Sequence, residues 1–356
     1  MSDQHRPEPT VAPPVSPGDR VAVLSPASGG GHRFPHPYRR GLRVLRERFD
    51  LEPVAFPTAT RSSEWLSDHS EARARDLERA FRDPDIGAVV ATIGGNDQIR
   101  ILKHLDGDVL AANPTRFFGS SDNTHLHSLL WERGLVSYYG GMVLTTLGTE
   151  VDRFPEASEW LSRALFEESF GALTPATEWT DGDPDWFEAD YHEAELGREP
   201  GEWSWRGGDR RADGPLWGGC LEVVDTVLAA DRTCPSTEAL EGGVLFLESS
   251  EELPGEAEVR RMLLGLGERG VLGAVDAVLV GRPKARNPHE DPGPAARAEY
   301  REAQYDLVTG LVAEYAPDVP VVCGVDVGHT YPAAPLPVGG RCVVDPTDRQ
   351  IGFPGE

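Results

Sequence analysis

Lysine is nearly missing from this chain of 356 residues, in which Lys103 and Lys284 are the only two. The 34 basic residues are therefore almost all arginine, and 59 acidic residues outnumber them to give a formal net charge of −25. Such an excess of negative charge argues against binding to nucleic acid or to an anionic membrane surface. We therefore expect neither partner.

Long apolar runs and closely spaced cysteines are also missing. No run approaches the roughly 20 apolar residues of a membrane-spanning helix, and the N-terminus lacks the basic-then-apolar order of a secretory signal. The four cysteines form no CxxC pair, so neither a zinc site nor a redox pair is indicated. These absences predict a cytoplasmic protein that uses no metal or other cofactor.

Strands alternate with helices of about ten residues in the first half of the chain, a pattern that predicts a parallel sheet with helices on both faces. The second half is richer in strands and predicts a mixed α/β domain. We therefore expect an α/β protein with four parts: a flexible arm (1–17), a flavodoxin- or Rossmann-like domain (18–170), a tryptophan-rich connector (171–214) and a mixed, barrel-like α/β domain (215–356).

Three polar or glycine-rich turns follow predicted strands of the first domain. They are Ser25–Ser28, Gly94–Gly95 and Gly119–Asp122. Because the carboxyl ends of parallel strands meet at one edge of the sheet, the three turns should lie together. A serine hydroxyl beside a glycine amide supplies the parts of an oxyanion site.

The stretch RFFGSSDNTHLHSLLW (116–131) reads as a short strand, a tight turn and a helix. A serine on such a turn, here Ser121, has its hydroxyl held out of the sheet beside the open amides of the helix. The alternative is that Ser, Asp and Asn simply cap the helix. This stretch by itself leaves both interpretations open.

Glu248 and His329 lie where two apolar strands of the second half end. Alone, such an acid is more often a cap or a solvated loop residue, and such a histidine is more often a hydrogen-bonded core residue. Together with Ser121 they supply a nucleophile, a base and a carboxylate to orient the base, which are the three roles of acyl-transfer chemistry.

The irregular segment 176–214 contains four of the eight tryptophans. Because aromatic side chains favour burial, a disordered linker is not expected. The segment is either a packed connector or an aromatic wall beside a cleft, and both can hold.

Six motifs in this order resemble those of the LD-carboxypeptidases, which are cytoplasmic serine peptidases of peptidoglycan recycling: SPAS, TIGG, GSSD, GGC, FLES and VGHTYPAAPLPVG. The connector and the GHTYP sequence resemble the microcin C self-immunity branch of that family. The resemblance spans 18–353. It implies a homodimer, no metal, and an active site between two domains.

Residue by residue, the resemblance implies that Ser121 is the nucleophile, Glu248 the acid and His329 the base. It also implies that the backbone amides of Asp122 and of the Gly94–Gly95 turn form the oxyanion hole.

Substrate contacts are implied by the same resemblance. Trp186 matches a tryptophan that stacks on the substrate's nucleobase in the immunity branch. Cys220 stands where the family has an asparagine near the site, and the loop Lys284–Pro294 is long. These two departures concern specificity more than chemistry.

Two substrates remain open for a serine hydrolase of this kind. One is the L,D-bond that holds the terminal D-alanine of a murein tetrapeptide, and the other is the amide that joins an amino acid to a sulfamoyl- or phosphoramidate-linked adenylate. A catalytically silent protein that binds a small ligand in the same cleft is the alternative. If the chain is an enzyme, we expect activity to fall below neutral pH as His329 becomes protonated.

Overall fold

The first half of the chain forms most of a six-stranded sheet, in a computed structural model that describes residues 8–287 and 289–355. Five strands are parallel and a late strand, β14, joins one edge antiparallel to β5. The spatial order is β14-β5-β4-β3-β1-β2. The strands are β1 (Arg20–Leu24), β2 (Glu52–Ala55), β3 (Ile86–Ala91), β4 (Arg116–Gly119), β5 (Ser137–Tyr139) and β14 (Leu336–Val338).

Alternate residues of the central strands face two separate apolar cores. In β1, Val21 and Val23 belong to one core, whereas Ala22 and Leu24 belong to the other. Helices cover both faces, as predicted. The helices of this half are α1 (Gly30–Arg33), α2 (Pro35–Glu47), α3 (Ser63–Asp68), α4 (Ser70–Arg82), α5 (Gly107–Ala112), α6 (Thr124–Glu132) and α7 (Pro155–Phe166), with 3-10 turns at Pro57–Thr60, Gln98–His104 and Ser121–Asn123 and a π-helix at Val143–Glu150.

The second half forms a mixed sheet of eight strands in the order β6-β16-β15-β10-β11-β12-β13-β9. Its four central strands are parallel, and the flanking ones are antiparallel. The predicted mixed α/β class is confirmed. The strands are β6 (Gly171–Leu173), β9 (Ser204–Gly207), β10 (Ala212–Cys220), β11 (Val244–Glu248), β12 (Ala277–Gly281), β13 (Pro320–Val325), β15 (Arg341–Asp345) and β16 (Gln350–Phe353).

In the described part of the chain, five helices accompany this second sheet. The longest, α12, follows the loop Lys284–Pro294 and packs on α10 and β9. In α10, Val259, Leu263 and Leu266 are buried at the three- and four-residue spacing of an amphipathic helix. The helices are α8 (Leu221–Ala230), α9 (Thr237–Leu240), α10 (Glu256–Glu268), α11 (Val271–Ala274) and α12 (Pro294–Tyr315).

The tryptophan-rich connector is packed against the second half. It contains the strand pair β7 (Glu178–Trp179) and β8 (Glu199–Pro200) and a 3-10 turn at Tyr191–Glu193. The buried Asp181 carboxylate lies within ion-pair distance of Arg286, Arg297 and Arg301. Since Arg286 belongs to the Lys284–Pro294 loop, these contacts tie that loop and α12 to the connector.

The predicted flexible arm is anchored over its described part, residues 8–17, and residues 1–7 lie outside the described residues. Val15 N donates to Leu165 O (2.9 Å), and the Arg116 guanidinium donates to Ala12 O (3.1 Å). Ala12 and Val15 are buried. Flexibility is therefore the wrong expectation for this part, because apolar burial and main-chain hydrogen bonds hold it.

No helix in the described part of the chain is long and apolar enough to cross a membrane.

Candidate active site

Ser121 lies on a sharp turn between β4 and α6 with a backbone φ of +61°. This left-handed conformation is unfavourable for a residue other than glycine and is typical of strained functional turns. Two side chains hold the turn: Thr124 Oγ1 donates to Ser121 O (2.7 Å), and Asn123 Nδ2 donates to Ser120 O (2.8 Å). The turn thus fixes the serine backbone without using its hydroxyl.

The Ser121 hydroxyl does not cap the helix. Neither the 3-10 turn Ser121–Asn123 nor α6 has a side-chain cap at its N-terminus. Ser121 is half-buried, and its Oγ has no hydrogen-bond partner among residues 8–287 and 289–355. The capping interpretation that the sequence left open therefore finds no contact to support it.

The glycine turn after β3 contacts Ser121, as expected for turns at the carboxyl ends of neighbouring parallel strands. A Cβ on Gly94 would lie 2.7 Å from Ser121 Cβ and 3.1 Å from Ser121 Oγ, so only glycine fits. Ser28 N donates to Gly94 O (3.1 Å), which brings the third predicted turn to the same place. In the described structure the amides of Gly94 and Gly95 donate to no protein atom, which leaves them open to a ligand.

Asp122 fixes the segment that follows the glycine turn. Its carboxylate accepts hydrogen bonds from Asp97 N (2.9 Å) and Gln98 N (2.8 Å). Burial raises the pKa of Asp122 to about 6, although these two amide hydrogen bonds oppose the shift. The side chain of Asp122 thus has a structural role, and only its backbone amide is a candidate donor to an oxyanion.

Glu248 and His329 are brought together at the carboxyl ends of β11 and β13, which lie on either side of β12 in the second sheet. His329 Nδ1 lies 2.7 Å from Glu248 Oε2, and the Glu248 side chain is fully buried. Since a carboxylate accepts, the hydrogen bond assigns a proton to Nδ1. A Cβ on Gly328 would overlap the Glu248 carboxylate, which explains the glycine before His329.

Tyr139, which sequence reasoning missed, connects this pair to Ser121. The buried Tyr139 hydroxyl donates to Glu248 Oε1 (2.6 Å) and accepts from Ser121 N (2.9 Å). One hydroxyl group therefore joins the serine turn of the first sheet to the carboxylate of the second. Two consecutive tyrosines in a short strand were the only signal in the sequence.

Glu251, which sequence reasoning also missed, contacts the other ring nitrogen of His329. Its Oε2 lies 3.3 Å from His329 Nε2. Burial lowers the pKa of His329, but the carboxylates of Glu248 and Glu251 outweigh burial and raise it to about 9. Within the described residues, no hydrogen bond joins Ser121 to His329.

Cys220 is buried beside this group and does not face solvent. It pairs with Glu248 in the β10–β11 register, and its Sγ lies 3.2 Å from Glu222 Oε2. Burial raises the pKa of the Cys220 thiol well above its usual value, and the nearby Glu248 and Glu222 raise it further. Cys220 is therefore a neutral thiol that donates to Glu222.

Trp186 packs against Phe34, the residue that follows α1 and the Ser25–Ser28 turn. Its indole N–H donates to Thr149 Oγ1 (3.1 Å) in the π-helix, and its ring meets Phe34 edge-to-face at 5.2 Å. Phe187, beside it, is 60% exposed. The aromatic surface formed by Phe34, Trp186 and Phe187 is suited to a planar ligand.

The described residues include no group of three or more His, Cys, Asp or Glu side chains that could hold a metal ion. The groups present are a serine hydroxyl, an imidazole oriented by a carboxylate, and free backbone amides. These are the groups that acyl transfer to water needs.

Comparison with known proteins identifies relatives over nearly the whole chain. Two family models match, described as the LD-carboxypeptidase N-terminal domain (residues 21–140) and C-terminal domain (residues 213–344). The microcin C7 self-immunity protein MccF of Escherichia coli is 24% identical over 97% of this chain and 96% of its own length. A Bacillus subtilis protein named as a probable murein peptide carboxypeptidase is 25% identical, over 93% and 90% respectively.

Solved structures show the same fold. MccF in complex with glutamyl sulfamoyl guanosine superposes with a TM-score of 0.81 at 22% identity, covering 98% of this chain and 99% of MccF. An MccF-like protein from Streptococcus pneumoniae in complex with AMP also gives a TM-score of 0.81, at 26% identity and with 95% and 99% coverage.

Proposed function

This chain belongs to the LD-carboxypeptidase family, and on that premise we propose that it is a serine hydrolase that cleaves an amide or L,D-peptide bond with Ser121, His329 and Glu248. The observation that carries the proposal is the hydrogen-bonded path from Ser121 through Tyr139 and Glu248 to His329. This path joins the half-buried Ser121, on a strained turn of the first sheet, to the imidazole–carboxylate pair of the second sheet.

In the proposed reaction, Ser121 Oγ attacks the carbonyl carbon while His329 Nε2 accepts the serine proton. The amides of Gly94, Gly95 and Asp122 stabilise the negative charge that develops on the carbonyl oxygen. His329 then donates the proton to the leaving amine. Water, activated by the same nitrogen, hydrolyses the acyl-enzyme.

Glu248 orients the base throughout. Its hydrogen bond to Nδ1 directs Nε2 away from the carboxylate and stabilises the imidazolium that forms. Tyr139 occupies the remaining Glu248 oxygen, which prevents that oxygen from competing for the histidine.

Both substrate classes stay candidates, and one observation favours the aminoacyl-nucleotide. The aromatic surface of Phe34, Trp186 and Phe187 offers a place for a planar base. Phe34 lies six residues after Ser28, whose backbone N–H donates to Gly94 O. The Arg33 guanidinium lies 5.0 Å from the centroid of the Phe34 ring and adds positive charge for a phosphate or sulfamate. A murein tetrapeptide has no planar base to use this surface.

The test uses Ser121→Ala with Ser120→Ala as the matched control, because Ser120 is the preceding, buried serine, whose Oγ faces Met142 Sδ. Each protein is assayed on an L,D-tetrapeptide and on an aminoacyl sulfamoyl adenosine. We expect Ser121→Ala to lose at least about 1,000-fold in kcat on the true substrate, and Ser120→Ala to stay within about tenfold of the wild type.

Labelling with a serine-directed acylating probe separates the enzyme from a silent binding protein. Modification of Ser121 in the wild type supports the enzyme. Ligand binding without any modification of Ser121, or full turnover by Ser121→Ala, would refute it.

We propose in addition that the protein acts in the cytoplasm as a homodimer, as the family resemblance implies. Light scattering at micromolar concentration should give twice the mass of 38.7 kDa. A monomer mass over the whole concentration range would contradict this assembly.

A further inference from the structure

Glu251 sits on a turn that presents its carboxylate to the catalytic histidine. The turn follows β11 and is fixed to α8, because Ser250 N (2.9 Å) and Ser250 Oγ (2.7 Å) both donate to Glu222 Oε1. Glu252 N donates to Ser250 Oγ (3.2 Å) and closes the turn. The position of Glu251 is therefore built into the local fold.

The contact that results opposes the proposed chemistry. His329 Nε2 must accept the Ser121 proton, yet it lies 3.3 Å from Glu251 Oε2 and makes no hydrogen bond to Ser121 in the described structure. A carboxylate at that distance stabilises a protonated Nε2, which has no lone pair to offer. The free protein is thus in a resting state.

Three charged groups face His329, and only one of them is free to change partner. Glu248 is fully buried and bonded to Tyr139, and Lys284 is buried and donates to Asp183 Oδ1 (2.6 Å). Glu251 has a side chain that is 58% exposed, and His329 is its only ion-pair partner among the described residues. A ligand can therefore reach Glu251 without breaking another buried contact.

We propose that Glu251 holds His329 in this resting state until a cationic group of the substrate, an ammonium beside the scissile amide, pairs with Glu251 and frees His329 Nε2. This inference rests on the proposed function and names a positioning residue and a substrate class for it. A substrate with a free amino group close to the cleaved bond would be favoured over the same substrate with that amine blocked.

The proton balance of the switch is simple. In the resting state the imidazolium carries a proton on each nitrogen, one facing Glu248 and one facing Glu251. When the ammonium takes over Glu251, the imidazolium loses one of its two carboxylate partners and releases the Nε2 proton to water. The neutral imidazole keeps its Nδ1 proton on Glu248 and accepts the Ser121 proton at Nε2.

The activity should depend on pH through the protonation of His329. Because the pKa of His329 is raised to about 9 in the free protein, kcat/KM for the N-acetylated substrate, which has no amine to titrate, should increase as the pH rises through about 9. This is a higher pH than the neutral value expected from the sequence. The kcat profile reports the substrate complex, in which Glu251 is paired with the ammonium. For a substrate with a free amine, its rise should therefore come at least about one pH unit lower.

The experiment compares Glu251→Gln with Glu252→Gln, which removes the neighbouring exposed carboxylate. We expect Glu251→Gln to move the kcat/KM rise down by about one pH unit, which raises kcat/KM near neutral pH by up to about tenfold. Its preference for the free amine over the N-acetylated substrate should fall by a similar factor. Glu252→Gln should keep the wild-type profile and preference.

A titration of His329 by NMR in the Ser121→Ala background provides a readout that needs no turnover. A His329 pKa lower by about one unit in Glu251→Gln supports the switch, and an unchanged pKa with unchanged pH profiles overturns it. Full activity of Ser121→Ala would instead overturn the proposed function, so the two failures are distinguishable.

Discussion

One hydroxyl group, that of Tyr139, satisfies both a backbone donor of the serine turn and a carboxylate oxygen of the second sheet. Ser121 N and Glu248 Oε1 have no other partner in the described structure. Removal of the hydroxyl would leave a half-buried donor and a buried charged acceptor unpaired, which is more costly than the loss of an ordinary hydrogen bond.

We therefore predict that Tyr139→Phe lowers kcat by roughly 5- to 150-fold, the equivalent of about 1–3 kcal/mol. Tyr138→Phe is the matched control, because Tyr138 is the preceding buried residue of β5 and stacks on Phe118. Steady-state kinetics on the two folded variants measures the difference. Equal activities would show that the Tyr139 bridge does not position the site.

At the scale of single elements, the glycine turn after β3 is tightly constrained by Ser121. Gly94→Ala would place a methyl group 2.7 Å from Ser121 Cβ, which real Cβ contacts do not tolerate, so the turn or the serine must shift. We predict a loss of kcat of at least about 100-fold, because a displacement of about 1 Å has that effect on a positioned group.

Gly265→Ala is the control for this substitution. Gly265 lies inside α10, and a Cβ there would meet nothing within 4 Å. Alanine at that position should leave kcat unchanged and stabilise the fold by up to about 1 kcal/mol, because helices favour alanine over glycine. Thermal unfolding of both variants shows whether Gly94→Ala acts on the site or only on stability. A Gly94→Ala protein with wild-type kcat would contradict the prediction.

The sequence predicts those elements whose hydrogen bonds are local and whose apolar pattern is periodic. The parallel strands β1, β2, β3 and β4 lie in apolar runs that predict strands, whereas the short β5 is not predicted. After β3, where the alternation of strands and helices predicts an α-helix, the chain forms a 3-10 helix over Gln98–His104. The π-helix Val143–Glu150 is buried on nearly all sides and therefore shows no helical periodicity.

Site residues follow the same division. Ser121, Glu248 and His329 stand out in the sequence because each follows an apolar strand. Tyr139 and Glu251 do not, because their roles come from contacts with residues more than 75 positions away in the chain. The contact of Tyr139 with Glu248 forms only when the two sheets pack together, and the contact of Glu251 with His329 forms only when β11 and β13 lie in one sheet.

At the scale of the whole molecule, the site exists only because the two halves interlock. β14 returns from the second half to extend the first sheet, and it does so just after the segment that contains His329. Between His329 and β14, Ala333 N donates to the buried Glu150 of the π-helix (2.9 Å), which also accepts from Thr146 Oγ1 (3.3 Å). Glu150 thus holds the His329 segment against the first half.

This anchor should make stability depend on pH. Burial raises the pKa of Glu150 to about 8, although its two hydrogen bonds oppose the shift. The folded protein then keeps a proton that the unfolded chain releases near pH 4.5. The contribution of Glu150 to stability is therefore complete below about pH 4.5 and is lost as the pH rises through about 8.

Glu150→Gln keeps the shape and the acceptor but cannot ionise, so it should remove this pH dependence. We predict that it is more stable than the wild type by roughly 2–4 kcal/mol at pH 9 and nearly equal to it at pH 4.5. Glu47→Gln, on the exposed end of α2, is the charge-matched control and should follow the wild type at both pH values. Urea unfolding measures the differences, and a Glu150→Gln curve parallel to the wild type across this range would show that Glu150 is already ionised in the folded protein. Glu150 contacts the segment that presents His329. Its ionisation near pH 8 would therefore weaken the positioning of His329 in the pH range in which His329 begins to lose its proton.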